Sequence, residues 1–214
     1  MKILSTFFQG RKTAHTPVNN AKDPEFYELT FSDGMLNCEA FLPGVSAGRA
    51  FKVLTDYENH KEINPSIIDS RILSAKDGIT FSEYHGKAWK YEYTMEMENR
   101  SRTATRKDPS FELNWRLKKP APPFKAMTGK AILTDHKKDG SEGCLLRYEN
   151  ESRTKFPRLE PIIAPQIEAC LRELVCRLSK KNIPNPSGKF LQKFRQMQNS
   201  IAENLGSLQK RVTG

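Results

Sequence analysis

Two ionisable residues on one predicted strand, Glu83 and His85, have the types and the spacing that could carry acid–base chemistry. Side chains two positions apart in a strand point to the same face of the sheet. Counting by twos from Ile79 and Phe81 places both residues on the face expected to be buried, where they could act as general acid and base or bind the polar end of a ligand. Two other interpretations are open. A bulge at Gly86 could reset the alternation, or Glu83 could be solvated or paired while His85 lies at the exposed end of the strand.

The other residues that could bind a metal or act as nucleophiles form no recognisable site. His15, His60 and His136 have no cysteine, histidine or carboxylate neighbours at the spacing of metal ligands. The sequence contains no glycine-rich phosphate loop, no nucleophile elbow and no aromatic-plus-basic RNA-binding motif. We therefore predict no metal, no cofactor and no specific nucleic-acid partner.

The sequence favours a cytoplasmic protein, which could also be peripheral at a membrane. No apolar run approaches the ~20 residues that cross a bilayer. The start, MKILSTFFQGRK, lacks the length and the cleavage site of a secretory signal. The cysteines match no zinc template and a disulfide framework is not expected at this chain size, so we interpret them as buried free thiols. They are Cys38, Cys144, Cys170 and Cys176.

Basic residues are concentrated in the C-terminal segment of the chain. Residues 180–214 include seven Lys or Arg and one Glu, and so carry +6 of the net charge of +10. Residues 26–179 together carry only +2. A nucleic-acid-binding core would normally have a basic patch of its own. An anionic partner, if the protein has one, is therefore expected at the C-terminal segment.

The apolar pattern of the central region has the period of two that is typical of β-strands. Two short helices precede it, the first with Ser46 as its N-cap and the second ending before Pro65. Lys-Asp-Gly sequences mark tight turns between later strands. Because these turns join neighbours directly, we predict an antiparallel meander rather than crossovers through helices. The predicted strands span 35–42, 67–73, 79–85, 89–102, 111–117, 127–136 and 144–152.

The longest predicted strand, KAWKYEYTMEMENRSR, alternates large apolar residues with polar ones. Its apolar members are bulky, polar-tipped or adaptable, whereas ordinary cores favour Leu, Ile and Val. Rigid aromatic rings can hold a pocket open, and their polar tips can orient a ligand. This face therefore either packs as ordinary core or lines a cavity. Its apolar members are Trp89, Tyr91, Tyr93, Met95 and Met97.

Two stretches of the chain resemble a known family. AFKVLTDYENHKEINPSIIDSRIL resembles the opening of START-like proteins of the polyketide cyclase/dehydrase and lipid-transport group. FKAMTGKAILTDHKKDGSEGCLLRYENESRTKFP resembles the sixth and seventh strands of that group and the loop into its final helix. The resemblance covers roughly residues 35–181 and implies an α+β helix-grip fold. In that fold a curved antiparallel β-sheet wraps around a long C-terminal helix, two short helices follow the first strand, and a cavity for a hydrophobic ligand lies between sheet and helix.

The alternation along the strands, together with the cavity that the resemblance implies, predicts which residues line it. The alternative is that these residues only pack against each other. The strands are expected to contribute Phe81, Trp89, Tyr91, Tyr93, Phe111, Leu113, Trp115, Leu133, Leu146 and Tyr148. The amphipathic helix within PRLEPIIAPQIEACLRELVCRLSKK is expected to contribute Ile163, Ile167, Cys170 and Leu174.

We predict three parts in the chain: a lead-in at 1–25, a START-like ligand-binding domain at 26–182 and a basic amphipathic helix at 183–214. The apolar positions of the last part, within Ser187–Val212, step by three and four residues. This extra helix has no counterpart in the usual domain of the resembled group. It could pack on the domain, bind a partner or a second copy, or lie on an anionic membrane surface.

The predicted function is the binding, transport or chaperoning of a hydrophobic small molecule such as a lipid, a quinone or a polyketide-like compound, without catalysis. One alternative is an aromatase/cyclase-type enzyme in which Glu83, His85 or a tyrosine hydroxyl moves protons in the same cavity. Another is a regulator that associates with the ribosome or a membrane through its basic segment. The resembled group includes enzymes, carriers and regulators, so the fold alone does not choose among them.

Overall fold

The computed structural model describes residues 23–88, 91–154 and 160–179. These residues form one antiparallel sheet with three α-helices. The strands are β1 (Glu25–Ser32), β2 (Met35–Pro43), β3 (Ile67–Lys76), β4 (Ile79–Ala88), β5 (Tyr91–Arg102), β6 (Phe111–Leu117), β7 (Phe124–Lys138) and β8 (Ser141–Thr154). The helices are α1 (Ala47–Leu54), α2 (His60–Ile63) and α3 (Glu160–Leu178), and a single 3₁₀ turn, Tyr57–Asn59, precedes α2.

The sheet has eight strands in the order β1-β2-β8-β7-β6-β5-β4-β3. Strands β3 to β8 follow one another as a meander, which confirms the predicted topology. Three hairpins turn on an Asp-Gly pair, at Asp33–Gly34, Asp77–Gly78 and Asp139–Gly140, whose φ angles lie between 48° and 78°. Glycine adopts this left-handed region without a steric penalty and aspartate tolerates it, so these pairs fix where each strand ends.

Helix α1 covers one end of the sheet and closes a fully buried apolar core. The Ser46 hydroxyl caps the helix by accepting a hydrogen bond from the Arg49 backbone N–H at 3.3 Å, as the sequence predicted. The helix packs against β6, β7 and β8, and the Phe51 ring lies 5.0 Å from that of Phe111. Leu133, which is adjacent to Phe111 in the register of β6 and β7, is completely buried there.

Helix α3 lies across the other part of the same face. It packs mainly against β1, β2 and α2, and it buries Leu171, Leu174, Val175 and Leu178. The long helix therefore bridges one edge of the sheet to the short helices and leaves space over the middle strands. This curved sheet with its C-terminal helix is the predicted α+β helix-grip fold. No helix within 23–88, 91–154 and 160–179 is long and apolar enough to cross a membrane.

The predicted three-part division of the chain stays a prediction. Strand β1 begins at Glu25, one residue before the expected start of the domain. The basic segment Ser187–Val212 and most of the lead-in lie outside the described residues. The structure contains Cys38, Cys144 and Cys170 as free thiols, of which Cys38 and Cys144 are buried. Cys170 and Cys176 are partly exposed, so the expectation of buried thiols is wrong for these two.

Candidate ligand-binding cavity

A cavity of about 290 Å³ lies between the concave face of the sheet, α3 and the segment from α1 to β3. Its wall is mainly aromatic and sulfur-containing on the sheet side, and aliphatic on the helix side. The sheet contributes Tyr84, Tyr93, Met95, Met97, Trp115, Phe124, Met127 and Tyr148. The helix α3 contributes Ile167, Cys170, Leu171 and Leu174. The volume is close to the lower end of the range for small-molecule pockets in proteins.

The structure brings together seven of the side chains predicted to line a cavity. They come from β5, β6, β8 and α3, where the alternation of strands and the periodicity of the helix were read with the correct inward face. These residues are Tyr93, Leu113, Trp115, Tyr148, Ile167, Cys170 and Leu174. Trp89 and the side chains of Tyr91 and Ile163 lie outside the described residues, so their placement at the cavity stays a prediction.

Two aromatic rings of the wall lie directly over glycines of the neighbouring strand. A Cβ added to Gly129 would meet the Trp115 ring at 2.2 Å, and one added to Gly86 would meet the Tyr93 ring at 2.5 Å. Trp115 and Gly129 are cross-strand partners, as are Tyr93 and Gly86. The missing side chains let both rings lie flat on the sheet, so these rings form the floor of the cavity instead of filling it.

Three residues predicted at the cavity belong instead to the core under α1. Phe111, Leu133 and Leu146 do face inward, but they form a cross-strand row at the end of the sheet that α1 covers. Leu133 and Leu146 are completely buried, and Phe111 packs on Phe51. The alternation of side chains shows which face of the sheet a residue is on, but it does not show which helix or loop covers that residue. The expectation that these three line the cavity is therefore corrected.

The predicted inward face of β4 is also wrong. Tyr84 lines the cavity and Ser82 is fully buried, which puts Phe81, Glu83 and His85 on the convex face. The pairing of β4 with β5 is continuous along the strand, so no bulge at Gly86 causes the difference. The reason is that β4 points polar residues inward. Its apolar residues Ile79 and Phe81, which the prediction took as inward, lie on the outer face.

The convex location separates Glu83 and His85 from the cavity, and each has a different ionic neighbour. The Glu83 carboxylate forms an ion pair with Arg71 at 2.7 Å. The nearest acid to the His85 imidazole is Glu92, at 3.8 Å, and the His85 side chain is 46% exposed. The Phe81 ring is covered by the Lys118 ammonium group, 4.8 Å from the ring centroid. The interpretation of Glu83 as paired and His85 as exposed is therefore the one that the structure supports.

The cavity also contains polar side chains that sequence reasoning missed. They are His60, Asn64, Ser66, Tyr84, Asn99, Asn150, Ser152 and Thr154, together with Lys87. Asn99 and Asn150 are only 4% and 8% exposed. Both side chains point to the concave face, each two positions after a large side chain of that face, Met97 and Tyr148 respectively. An asparagine at such a position is depleted in strands and is the signal that could have identified them.

Burial favours the uncharged form of the tyrosines, of Cys170 and of His60 in the cavity wall. It raises the pKa of the Tyr93 phenol and of the Cys170 thiol to about 12. It also raises the pKa of the Tyr84 and Tyr148 phenols. Burial lowers the pKa of His60, whose Nε2 lies 2.9 Å from the Leu54 carbonyl oxygen. Since a carbonyl only accepts, Nε2 carries a proton and donates it to Leu54. The lowered pKa favours the neutral form of the ring.

Within the described parts of the chain, no cluster of three His, Cys, Asp or Glu residues could hold a metal ion. Apart from Lys87, the cavity wall offers apolar contact, aromatic rings and polar groups that are mainly uncharged. This combination suits the binding of a largely hydrophobic molecule with a small number of polar groups.

Comparisons with known proteins agree with this architecture. Residues 43–179 match the family described as polyketide cyclase / dehydrase and lipid transport. No curated protein matches the chain by sequence.

Solved structures share the fold at low sequence identity. A START superfamily protein from Mycobacterium smegmatis is 13% identical, with a TM-score of 0.51 over 76% of this chain and 98% of that one. A STAR-related lipid transfer protein from Xanthomonas axonopodis is 14% identical, with a TM-score of 0.53 over 76% and 97%. Human STARD10 is also 14% identical, with a TM-score of 0.50 over 78% and 76%. These similarities establish the fold and confirm the resemblance seen in the sequence.

Proposed function

Because the chain belongs to the polyketide cyclase / dehydrase and lipid transport family, we propose that it binds a hydrophobic small molecule in this cavity and carries it without transforming it. The observation that supports this most is the wall of Tyr93, Trp115 and Tyr148 together with methionines, around a space that remains open. Side chains of this kind bury a large apolar area without blocking the pocket.

The chemistry of the cavity favours a carrier over an enzyme. A general acid or base works best with a pKa near the working pH. Among the described lining residues, burial moves the pKa of Tyr93 and Cys170 upward and that of His60 downward, in each case away from neutrality. The two residues with the spacing of an acid–base pair, Glu83 and His85, lie on the convex face.

A cavity-blocking substitution tests the proposal. Met127 lines the cavity, whereas its neighbour Thr128 is exposed on the other face of β7. We expect Met127→Trp to weaken the binding of a solvatochromic naphthalene dye by at least tenfold, because the indole occupies the space of the ligand. Thr128→Trp adds the same side chain on the convex face and should leave dye affinity unchanged.

Native mass spectrometry of freshly purified protein is the second measurement. A co-purifying hydrophobic molecule that is lost in Met127→Trp but kept in Thr128→Trp would support the carrier. Failure of the unaltered protein to bind either the dye or a co-purifying molecule would contradict it. Turnover of a bound polyketide-like compound would instead identify a cyclase-type enzyme, which is the alternative function of the same cavity.

A further inference from the structure

Four residues on four neighbouring strands form a row across the floor of the cavity. Asn99 of β5 pairs in register with Trp115 of β6, Trp115 pairs with Gly129 of β7, and Gly129 pairs with Asn150 of β8. All of these positions face inward, and the two asparagines and the tryptophan line the cavity. Because Gly129 has no side chain, the Trp115 ring extends over it toward Asn150. Two amides thus stand at the ends of one aromatic surface.

The hydrogen bonds of Asn99 fix the orientation of its amide. Its Nδ2 donates to the Ser82 hydroxyl at 2.8 Å and to the Thr80 backbone carbonyl at 3.2 Å. The Thr80 carbonyl can only accept, so the nitrogen must be the atom that faces it. Both amide hydrogens are then used. The Oδ1 atom remains as an acceptor with no hydrogen-bond partner among the described residues.

Asn150 has the opposite orientation. Its Oδ1 accepts a hydrogen bond from the Trp115 Nε1–H at 2.8 Å, and an indole N–H can only donate. The Nδ2 group of Asn150 therefore remains as a donor, again with no partner among the described residues. Neither this group nor the Asn99 Oδ1 is sealed from open space. One end of the row offers an acceptor and the other end a donor, both in a largely apolar cavity.

The charges around the cavity argue for an uncharged ligand. Lys87 is the one Lys or Arg among the described lining residues, and it lies at the cavity rim, where its side chain is 48% exposed and its Nζ is 4.0 Å from Glu92. Burial lowers the pKa of His60, which favours its neutral form. A carboxylate or phosphate taken into such a site would lose its hydration without gaining a counter-charge, which is costly.

We propose that the row Asn99–Trp115–Asn150 is a specificity site for an uncharged, flat hydrophobic molecule with a hydrogen-bond donor at one end and an acceptor at the other. The donor of the ligand binds Asn99 Oδ1, its acceptor binds Asn150 Nδ2, and its ring system stacks on Trp115. Three strand spacings separate the two amides, about 14 Å along the sheet and less across its concave face. This proposal rests on the proposed function, because it names the class of molecule that the cavity carries.

Four naphthalene probes test the site in the unaltered protein. They are 6-acetyl-2-naphthol, with both groups; 2-naphthol, without the acetyl acceptor; 2-acetylnaphthalene, without the hydroxyl donor; and 6-hydroxy-2-naphthoate, in which a carboxylate replaces the acetyl group. Fluorescence titration should rank 6-acetyl-2-naphthol first, with each missing group weakening binding roughly fivefold, as a neutral hydrogen bond contributes. The carboxylate should bind at least tenfold more weakly. Equal affinities for all four would overturn the proposal.

Two substitutions assign the groups to the two ends. Asn99→Leu should reduce the affinity of 6-acetyl-2-naphthol to that of 2-acetylnaphthalene, and Asn150→Leu should reduce it to that of 2-naphthol. Asn114→Leu, on the convex face of β6, is the matched control and should change none of the affinities. A merely structural defect would weaken every probe equally, and that result would contradict the assignment. If a variant fails to fold, the ranking of the four probes in the unaltered protein still shows whether the ligand needs both a donor and an acceptor.

The two proposals fail in different ways. If no probe binds and the dye does not bind either, the carrier function and the specificity site are both wrong. If the dye binds and Met127→Trp blocks it, while the four probes bind equally, the carrier function stands and only the Asn99–Trp115–Asn150 site is wrong.

Discussion

Glu98 and Asn99 are adjacent in the sequence and almost equally buried, yet the two faces of β5 satisfy them in different ways. On the convex face, the Glu98 carboxylate accepts hydrogen bonds from Arg100 at 2.9 Å and from Arg116 at 2.6 Å. On the concave face, Asn99 bonds only to uncharged groups. Charge is thus compensated by charge on one side, and neutral groups bond to neutral groups on the other.

The convex pattern extends well beyond Glu98. Glu96 pairs with Lys118 and Lys119, and Glu112 is within 3.5 Å of both Arg102 and Lys130. The arginines and lysines of these pairs are largely exposed to solvent, where ions are well hydrated. Strands β5 and β6 thus keep their charges on the side away from the cavity. A hydrophobic ligand can therefore enter without desolvating them.

The largest expected effect of a substitution on either face is at Gly129. Replacing it by valine places a Cβ where the Trp115 ring lies, and that ring is held by Asn150 and by Tyr148, whose ring is 5.0 Å away. We expect Gly129→Val to lower the free energy of unfolding by about 3 kcal/mol, the upper part of the range for overpacking. Urea denaturation followed by tryptophan fluorescence measures it.

The convex face supplies the control for this substitution. Thr128 is exposed on the same strand, so Thr128→Val should change the free energy of unfolding by less than about 0.5 kcal/mol. Equal destabilisation by the two valines would mean that the concave face is no more tightly constrained than the convex one, and the contrast between the faces would be lost.

A smaller effect, which depends on pH, is expected from His60 on the cavity side. Burial holds its pKa below the ordinary value of 6.5, with the Leu54 carbonyl and Asp56 acting in the opposite direction. The unfolded chain therefore binds a proton more readily than the folded protein. Stability is full above pH 6.5 and falls as the pH decreases from there, by at most about 1.4 kcal/mol per pH unit for one proton.

The slope of stability against pH between about 6.5 and 5 tests this expectation. His60→Gln should flatten it, because glutamine does not titrate. The same change at the exposed residue His136 controls for the loss of an imidazole. If His60→Gln leaves the slope as steep as in the unaltered protein, His60 is not the group that destabilises the fold in this range.

The convex carboxylates should respond in a lower and separate pH range. Hydrogen bonds from Arg116 and Arg100 lower the pKa of Glu98 below its ordinary value of 4.5. Its contribution to stability is therefore present above pH 4.5 and lost as the pH falls through the lower, folded value. Its partners are exposed, so we expect a smaller effect than that of His60.

Urea denaturation below pH 5 compares Glu98→Gln with Glu149→Gln, a change at an exposed carboxylate of the convex face. The Glu98 variant alone should lose stability less steeply with acid, and added salt should reduce the difference. Identical slopes in the two variants would show that the pairing of Glu98 contributes nothing measurable.

The sequence predicted the faces of β5 and β6 but not that of β4, and the reason is physical. Tyr93, Met95 and Met97 are both large and inward, so alternation of apolar and polar residues gave the right parity. In β4 the inward residues include Ser82, which is completely buried and accepts a hydrogen bond from Asn99, and Tyr84, which lines the cavity. The alternation of apolar and polar residues identifies an inward face only when that face is apolar. It does not identify an inward face that carries polar groups, as in β4.

It was equally hard to predict which element covers each part of a strand. Phe111 and Trp115 share a face of β6, but α1 fills the space over Phe111, and α3 leaves space over Trp115. That difference depends on how the helices dock, which involves contacts between residues far apart in the chain. The succession of strands and short helices was predictable because turns, caps and periodicity are local signals.

The smallest expected effect is at Phe81, and it tests directly which face of β4 meets the cavity. Its ring is stacked with the Lys118 ammonium group on the convex side, a contact worth at most about 1 kcal/mol at an exposed site. Phe81→Leu should therefore destabilise the protein by no more than that and leave dye affinity unchanged. Leu113→Ala, at a buried residue that lines the cavity, should change dye affinity measurably. If Phe81→Leu altered ligand binding as much as Leu113→Ala, the assignment of β4 residues to the two faces would have to be reversed.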